Sequence, residues 1–176
     1  MHKFLAISRW SGYEYYEFDK GYVSGVIDAE ASFSVSVKVQ RDLLCKVRVD
    51  PVFRMTERKR EVLEIVQRVL RCGRIIQKPG QRHLWMLVVD DLDELSRKLI
   101  PALDELKLVA KKSSYDYFRE IVLKLAEKKY SLTCDEIREL VIMAYKLSDL
   151  NLKSSRKRSI IEVLSLIPVS DDYKVG

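Results

Sequence analysis

The sequence predicts an α+β domain, and three observations carry that reading. One segment alternates polar and apolar residues over nine positions, a later one repeats apolar residues at helical spacing, and the strand-like stretches fall into two hairpins. From Ser32 to Gln40, Phe33, Val35, Val37 and Val39 share one parity while Ser32, Ser34, Ser36, Lys38 and Gln40 share the other. A strand with one dry and one polar face follows. A second strand is expected from about Leu44 to Met55, with Lys46, Arg48, Asp50 and Arg54 on the polar parity and Val47, Val49 and Phe53 opposite. Pro51 there implies a bulge or an edge position.

Thr56 is expected to cap a helix that carries Val62, Leu63, Val66, Val69 and Leu70 and stops at Gly73. Arg74 to Lys78 and His83 to Val89 then form a second hairpin through Pro79-Gly80, a pair suited to a tight turn. Asp90 or Asp91 caps a short helix with Leu92, Leu95 and Leu99, which Pro101 interrupts. A longer helix presents Tyr117, Phe118, Ile121, Val122 and Leu125 on one side. Thr133 and Glu136 form a capping box that opens a helix to about Leu150, and Ser155 to Ile167 makes the last one. The order is αββαββα followed by extra helices, with a four-stranded antiparallel sheet able to leave one face open to a partner.

A chain of 176 residues, 47% hydrophobic, supports one core. We expect an N-terminal extension over 1–17, a single domain over 18–168 and a C-terminal tail over 169–176. No apolar run reaches membrane-span length, and charge breaks the first 22 residues, so the expectation is a soluble, intracellular, cytoplasmic protein. Cys45, Cys72 and Cys134 lack metal-ligand spacing and, with His2 and His83 isolated, read as ordinary reduced residues. The net charge of +6 is uneven: Lys38 to Arg82 holds thirteen Lys and Arg against five Asp and Glu, and the rest sums to −2. Such a block is the footprint of a polyanion-binding surface, although a solvated face looks similar. Four Gln and one Asn beside 33% charged residues fit a thermophilic composition.

Gly21, Ser24, Gly25 and Asp28 fall at i, i+3, i+4 and i+7 ahead of the first strand, a stripe of small residues along which another helix can approach. The stripe ends in two carboxylates, Asp28 and Glu30, beside a polar strand and a basic block. Val23 to Ala31 resembles the LAGLIDADG motif, with Gly25, Ile27, Asp28 and Ala29 identical, conservative changes at Val23 and Val26, and Glu30 in place of the second Asp. Ser24 and Ala31 depart from the motif. The element order resembles that of the whole homing-endonuclease domain, and 150–157 resembles the basic helix entrance of that family.

The resemblance implies a DNA endonuclease whose Glu30 holds Mg²⁺, with Mn²⁺ or Ca²⁺ able to substitute in binding, and whose Ala29 carbonyl helps bind the ion. Mg²⁺ takes few protein ligands and keeps waters, yet one carboxylate is a poor site. With one motif in the chain, the second carboxylate is expected from Glu30 of another copy in a two-fold homodimer packed along Gly21, Ser24, Gly25 and Asp28. Two carboxylates about 4 Å apart repel by ~4 kcal/mol at an effective dielectric of 20, so a cation between them relieves strain.

Asp28 is implied to end and position the helix, while Glu57 and Lys111 take the peripheral catalytic positions, with Lys107 or Lys112 as alternatives to Lys111. Double-stranded DNA is expected on the polar faces of both hairpins, through Ser32, Ser34, Ser36, Lys38, Gln40, Lys46, Arg48, Asp50, Arg54, Arg74, Ile76 and Lys78. Arg82, His83 and Trp85 have uncertain parity. Lys153, Ser154, Arg156, Lys157 and Arg158 are expected to meet phosphates. The rival readings are a protein of the same fold that binds intron RNA or DNA without cutting, and an interaction domain whose basic block is solvated.

Overall fold

The computed structural model describes residues 12–128, 131–151 and 158–169. Helix α1 (Gly12–Glu30) runs without a linker into β1 (Ala31–Val39), which pairs with β2 (Val47–Glu57). Helix α2 (Arg60–Leu70) crosses to β3 (Arg74–Gln77), and β4 (Trp85–Val89) returns between β3 and β2. The sheet is antiparallel in the order β1-β2-β4-β3. Then come α3 (Leu92–Asp104), α4 (Lys112–Lys128), α5 (Cys134–Leu150) and α6 (Ile160–Leu166).

Alternation in β1 does what the sequence predicts: Ala31, Phe33 and Val35 are buried while Ser32, Ser36 and Lys38 face outward. Phe33 is the node of the core. Its ring lies 5.5 Å from Phe53 on β2 and 5.6 and 5.3 Å from Tyr115 and Phe118 on α4. Its carbonyl accepts a 3.1 Å hydrogen bond from Asn151 Nδ2 at the end of α5. One residue thus joins the sheet to both long helices behind it, a contact set whose loss costs about 3–5 kcal/mol in comparable cores.

Pro51 sits opposite Val35 in unbroken register, so it makes no bulge. It falls outside the β2–β4 pairing, which begins at Phe53, so its missing N–H costs no ladder bond on that side. Thr56 is not a helix cap. It remains in β2 paired with Met86, and α2 starts four residues later behind Lys59, which makes no side-chain cap. The ladder to β4 outcompetes the local cap. α2 ends at Arg71 in the left-handed region, and Gly73 follows at φ +83, where a Cβ would lie 2.7 Å from Val89 Cγ2. The turn bond from Gln81 N to Lys78 O spans Pro79 and Gly80, the latter at φ +74.

Asp91, not Asp90, caps α3 by accepting from Glu94 N. Pro101 does not interrupt that helix. The turn before it widens to i→i+5 over Leu95–Leu99, with Ile100 N donating to Leu95 O, and the helix continues to Asp104. The wider turn makes room for the proline ring beside the preceding carbonyls. The capping box of Thr133 and Glu136 forms as predicted. The last helix is shorter than expected, since Ser159 caps it by accepting from Glu162 N. α1 reaches back to Gly12, into the segment expected as an extension.

The cysteines correct a further expectation: Cys45 and Cys134 form a disulfide across 89 positions, tying the β1–β2 loop to the start of α5. Distance along the chain hid the pair. Cys72 is the free, buried thiol, its pKa pushed up to about 12 by burial. No described helix is long and apolar enough to cross a membrane. Closing a loop of this length stabilises by about 4–5 kcal/mol in the chain-entropy treatment. Cys45→Ser is therefore expected to lower the midpoint of thermal unfolding, and reductant to lower it in the parent protein but not in the variant, as calorimetry would read.

Candidate nucleic-acid interface and catalytic end

The motif helix turns Val23 and Ile27 fully into the core and leaves Gly21, Tyr22, Gly25, Ala29 and Glu30 exposed. A Cβ added at Gly21 or Gly25 would meet nothing within 4 Å, so that side of α1 is open. Ser24 and Asp28 face their own chain. Ser24 Oγ donates to the Lys107 carbonyl at 2.8 Å, and the Asp28 carboxylate accepts from the backbone N–H groups of Val109, Ala110 and Lys111 at 3.0, 2.9 and 2.8 Å. The open stripe is therefore Gly21, Gly25 and Ala29.

Burial raises the Asp28 pKa, but the N–H groups of Lys111, Ala110 and Val109, helped by the Lys111 charge, outweigh it and hold the carboxyl below its usual range. Those donors lie just before α4, whose first N–H groups have no partner within the helix. The clasp thus fixes the backbone of Lys111 against Asp28, two residues before Glu30 at the end of the motif helix. Lys112 is engaged with Asp116, and the Lys107 carbonyl accepts from Ser24. Glu30 is the last residue of α1 and is exposed. Among the described residues no three His, Cys, Asp or Glu side chains cluster.

Glu57 ends β2 opposite Trp85, on the parity of Phe53 and Met55 that faces the helices. Trp85 shares that parity, packs against the core and carries the Arg60 guanidinium at 5.0 Å from its ring. The parity left open in the sequence is thus the helix-facing one. Rows of the outward face run Ser32–Arg54–Val88–Arg74 and, one row along, Thr56–Met86–Ile76, with Ser34–Val52, Ser36–Asp50 and Lys38–Arg48 continuing on the first hairpin. Gln40 and Lys46 lie in the loop between β1 and β2, where Gln40 N donates to the Lys46 carbonyl at 2.8 Å. Lys78, Arg82 and His83 lie in the β3–β4 connection rather than on strands, because the bond from Lys78 N to Leu84 O closes the turn early. Arg158 borders a groove with Arg41, Lys46 and Leu166. Lys153, Ser154, Arg156 and Lys157 lie outside the described residues.

Two carboxylates organise these cations: Asp50, expected on the DNA-binding face, and Asp90, expected only as a possible helix cap. Asp50 accepts from Arg48 Nε and Nη2 at 3.2 and 3.1 Å and meets Lys38 Nζ at 2.8 Å. Asp90 takes both Arg74 nitrogens, at 2.5 and 2.8 Å, and its pKa is lowered by that hydrogen bond, with Arg54 adding a smaller attraction.

An open sheet face bearing paired cations, with an acid-tipped helix entering its first strand, defines a domain built to lie against a polyanion. Residues 23–122 match the LAGLIDADG endonuclease family, and the chain belongs to it. Homing endonuclease I-ApeII of Aeropyrum pernix is 54% identical over 150 residues, covering 85% of this chain and 90% of that protein. The archaeal intron-encoded homing endonuclease I-Vdi141I, solved with DNA, superposes with a TM-score of 0.81 at 41% identity over 91% of this chain and 99% of that one. The group I intron-encoded endonuclease I-CeuI shares the fold, with a TM-score of 0.72 at 19% identity over 85% of this chain and 75% of that one.

A depressed carboxyl pKa stabilises above the unfolded value, and that contribution disappears as pH falls through the folded value. Asp28→Ala is therefore expected to cost about 1–2 kcal/mol at neutral pH, as loss of a helix-terminal cap does. Denaturant titrations of variant and parent should converge once the pH drops well below the ordinary aspartate range.

Proposed function

We propose that two copies of the chain form one site-specific DNA endonuclease, cutting both strands with divalent ions held by the two Glu30 carboxylates. The observation that carries the reading is the position of Glu30: exposed at the tip of the motif helix, next to β1 and beside the clasped segment that bears Lys111. Membership of an endonuclease family supports the reaction class, and the DNA in the I-Vdi141I complex supports a duplex as the partner. The open Gly21, Gly25 and Ala29 stripe supports close packing of two motif helices. The absence of an acidic cluster among the described residues supports a site completed by the second copy.

Glu30 fits Mg²⁺, a hard cation that takes carboxylate oxygen together with water and phosphate oxygens; the exposed Ala29 leaves its carbonyl available as a second donor. Mn²⁺ and Ca²⁺ are expected to bind the same oxygens. When bound, the ion neutralises phosphate charge and makes water a nucleophile near neutral pH. Asp28 keeps the 109–111 segment in place, and Lys111 contributes positive charge toward the phosphate that gains negative charge in the transition state. Glu57, expected as the peripheral acid, ends β2 on the parity that faces the helices, so the proposed site rests on Glu30 and Lys111. The seat for the duplex is the outward sheet face, with Arg48, Arg54 and Arg74 as candidate base readers and the loop cations and 153–158 as phosphate contacts.

Glu30→Gln keeps size and hydrogen bonding while removing the charge. The expected outcome is a variant that binds a target-bearing duplex as the parent does but neither nicks nor cuts it with Mg²⁺, and sedimentation of either protein with that duplex gives two chains per site. Cleavage by the variant, or one chain per duplex, would overturn the proposal; binding without cleavage by both proteins would favour a non-cutting nucleic-acid binder.

A further inference from the structure

The outward face of the sheet carries a physical contradiction. A surface that binds phosphates gains from every cation and loses from every anion, yet Asp50 and Asp90 stand among its cations. Each is engaged by the cations around it. Asp50 holds Lys38 from the neighbouring strand and Arg48 two positions away on its own. Asp90 holds Arg74 through both nitrogens, with Arg54 near enough to feel its charge. All four cations project from the sheet face, where a major groove would meet them.

A carboxylate bonded to Nε and one terminal nitrogen, as Asp50 is with Arg48, fixes the guanidinium plane and leaves the remaining N–H groups for a further acceptor. A free arginine swings to the nearest phosphate and reads no sequence. A fixed one presents a fork whose geometry matches guanine O6 and N7. Anions on the face also repel phosphates, which weakens attachment to every sequence alike.

We infer that Asp50 and Asp90 are specificity-determining positioning residues, which hold Arg48 with Lys38, and Arg74, as readers of base edges rather than as phosphate clamps. The inference rests on the proposed duplex seat and goes beyond it. It divides the cations into two kinds: those tied to an acid discriminate, and the loop cations Arg41, Lys46 and Arg158 supply affinity for any sequence. The acids lower non-specific affinity and thereby widen the gap between target and random DNA.

The test uses the full-length protein and a duplex selected by it from a randomised pool, beside a random duplex of equal length. Asp50→Asn and Asp90→Asn keep shape and remove charge, and thermal unfolding reports that both fold. For each, the ratio of affinities for selected over random duplex is expected to fall about tenfold or more, while random-duplex affinity is unchanged or tighter. Asp50→Asn added to Arg48→Gln is expected to reduce the ratio no further than Arg48→Gln alone. Equal shifts on both duplexes, or additive losses in the pair, would overturn the inference by reducing the acids to bulk charge. Failure of the parent to select any duplex would instead overturn the proposed seat, so the two failures are distinct.

Discussion

The rest of the structure depends on one carboxylate. Asp28 accepts three consecutive backbone N–H groups from residues 109–111, which lie more than eighty positions along the chain. Bonds to a charged acceptor are roughly twice as strong as neutral ones, and here three donors converge at the entrance of a helix, where partial positive charge collects. No linker separates α1 from β1, so fixing the end of the helix also fixes the start of the first strand. Ser24, one turn earlier, adds a bond to the Lys107 carbonyl just before that segment. Helix tip, first strand and the entrance to α4 therefore move as one body.

Legibility in the sequence followed the range of the interactions. The alternation of β1, the capping box at Thr133 and the Pro79-Gly80 turn are decided by residues within a few positions of one another, and all three formed. Long-range partners were not legible. The Cys45–Cys134 bond and the grip of Asp28 on 109–111 each join residues more than eighty positions apart, and no local pattern encodes them. Thr56 is a third instance: its local setting favours a helix cap, but a strand elsewhere supplies a ladder that holds more backbone bonds than one cap could. β4 starts at Trp85, two residues later than hydrophobicity suggests, and the face Trp85 takes is set by its pairing with Glu57 on β2, a long-range register that no local pattern encodes.

Charge composition was informative about the partner and misleading about the area of contact. Of the basic block between Lys38 and Arg82, Lys38, Arg48, Arg54 and Arg74 project from the outward face of the sheet, whereas Arg60, Arg68 and Arg71 belong to α2 and its end, behind it. Arg60 pairs with Glu64 and lies over Trp85, so its charge is spent on holding α2 to the start of β4. Counting charges along the chain sums two opposite faces.

The same register that separates the faces also ties recognition to chemistry. The row of Ser32, Arg54, Val88 and Arg74 crosses all four strands, and its first member lies two residues after Glu30. On the proposed reading, a duplex seated against that row brings its phosphates to the tip of the motif helix without any hinge between the groups that read and the group that cuts. A displacement of the duplex by one base-pair step, about 3.4 Å along its axis, would take the scissile phosphate past the reach of a carboxylate on a short side chain. Asp28 and Phe33 flank Glu30 and tie this junction to the entrance and body of α4 on either side. On that reading, rigidity at this junction would convert accurate seating into selective cutting, with the sheet setting where the duplex lies and the helix tip acting only on what lies there.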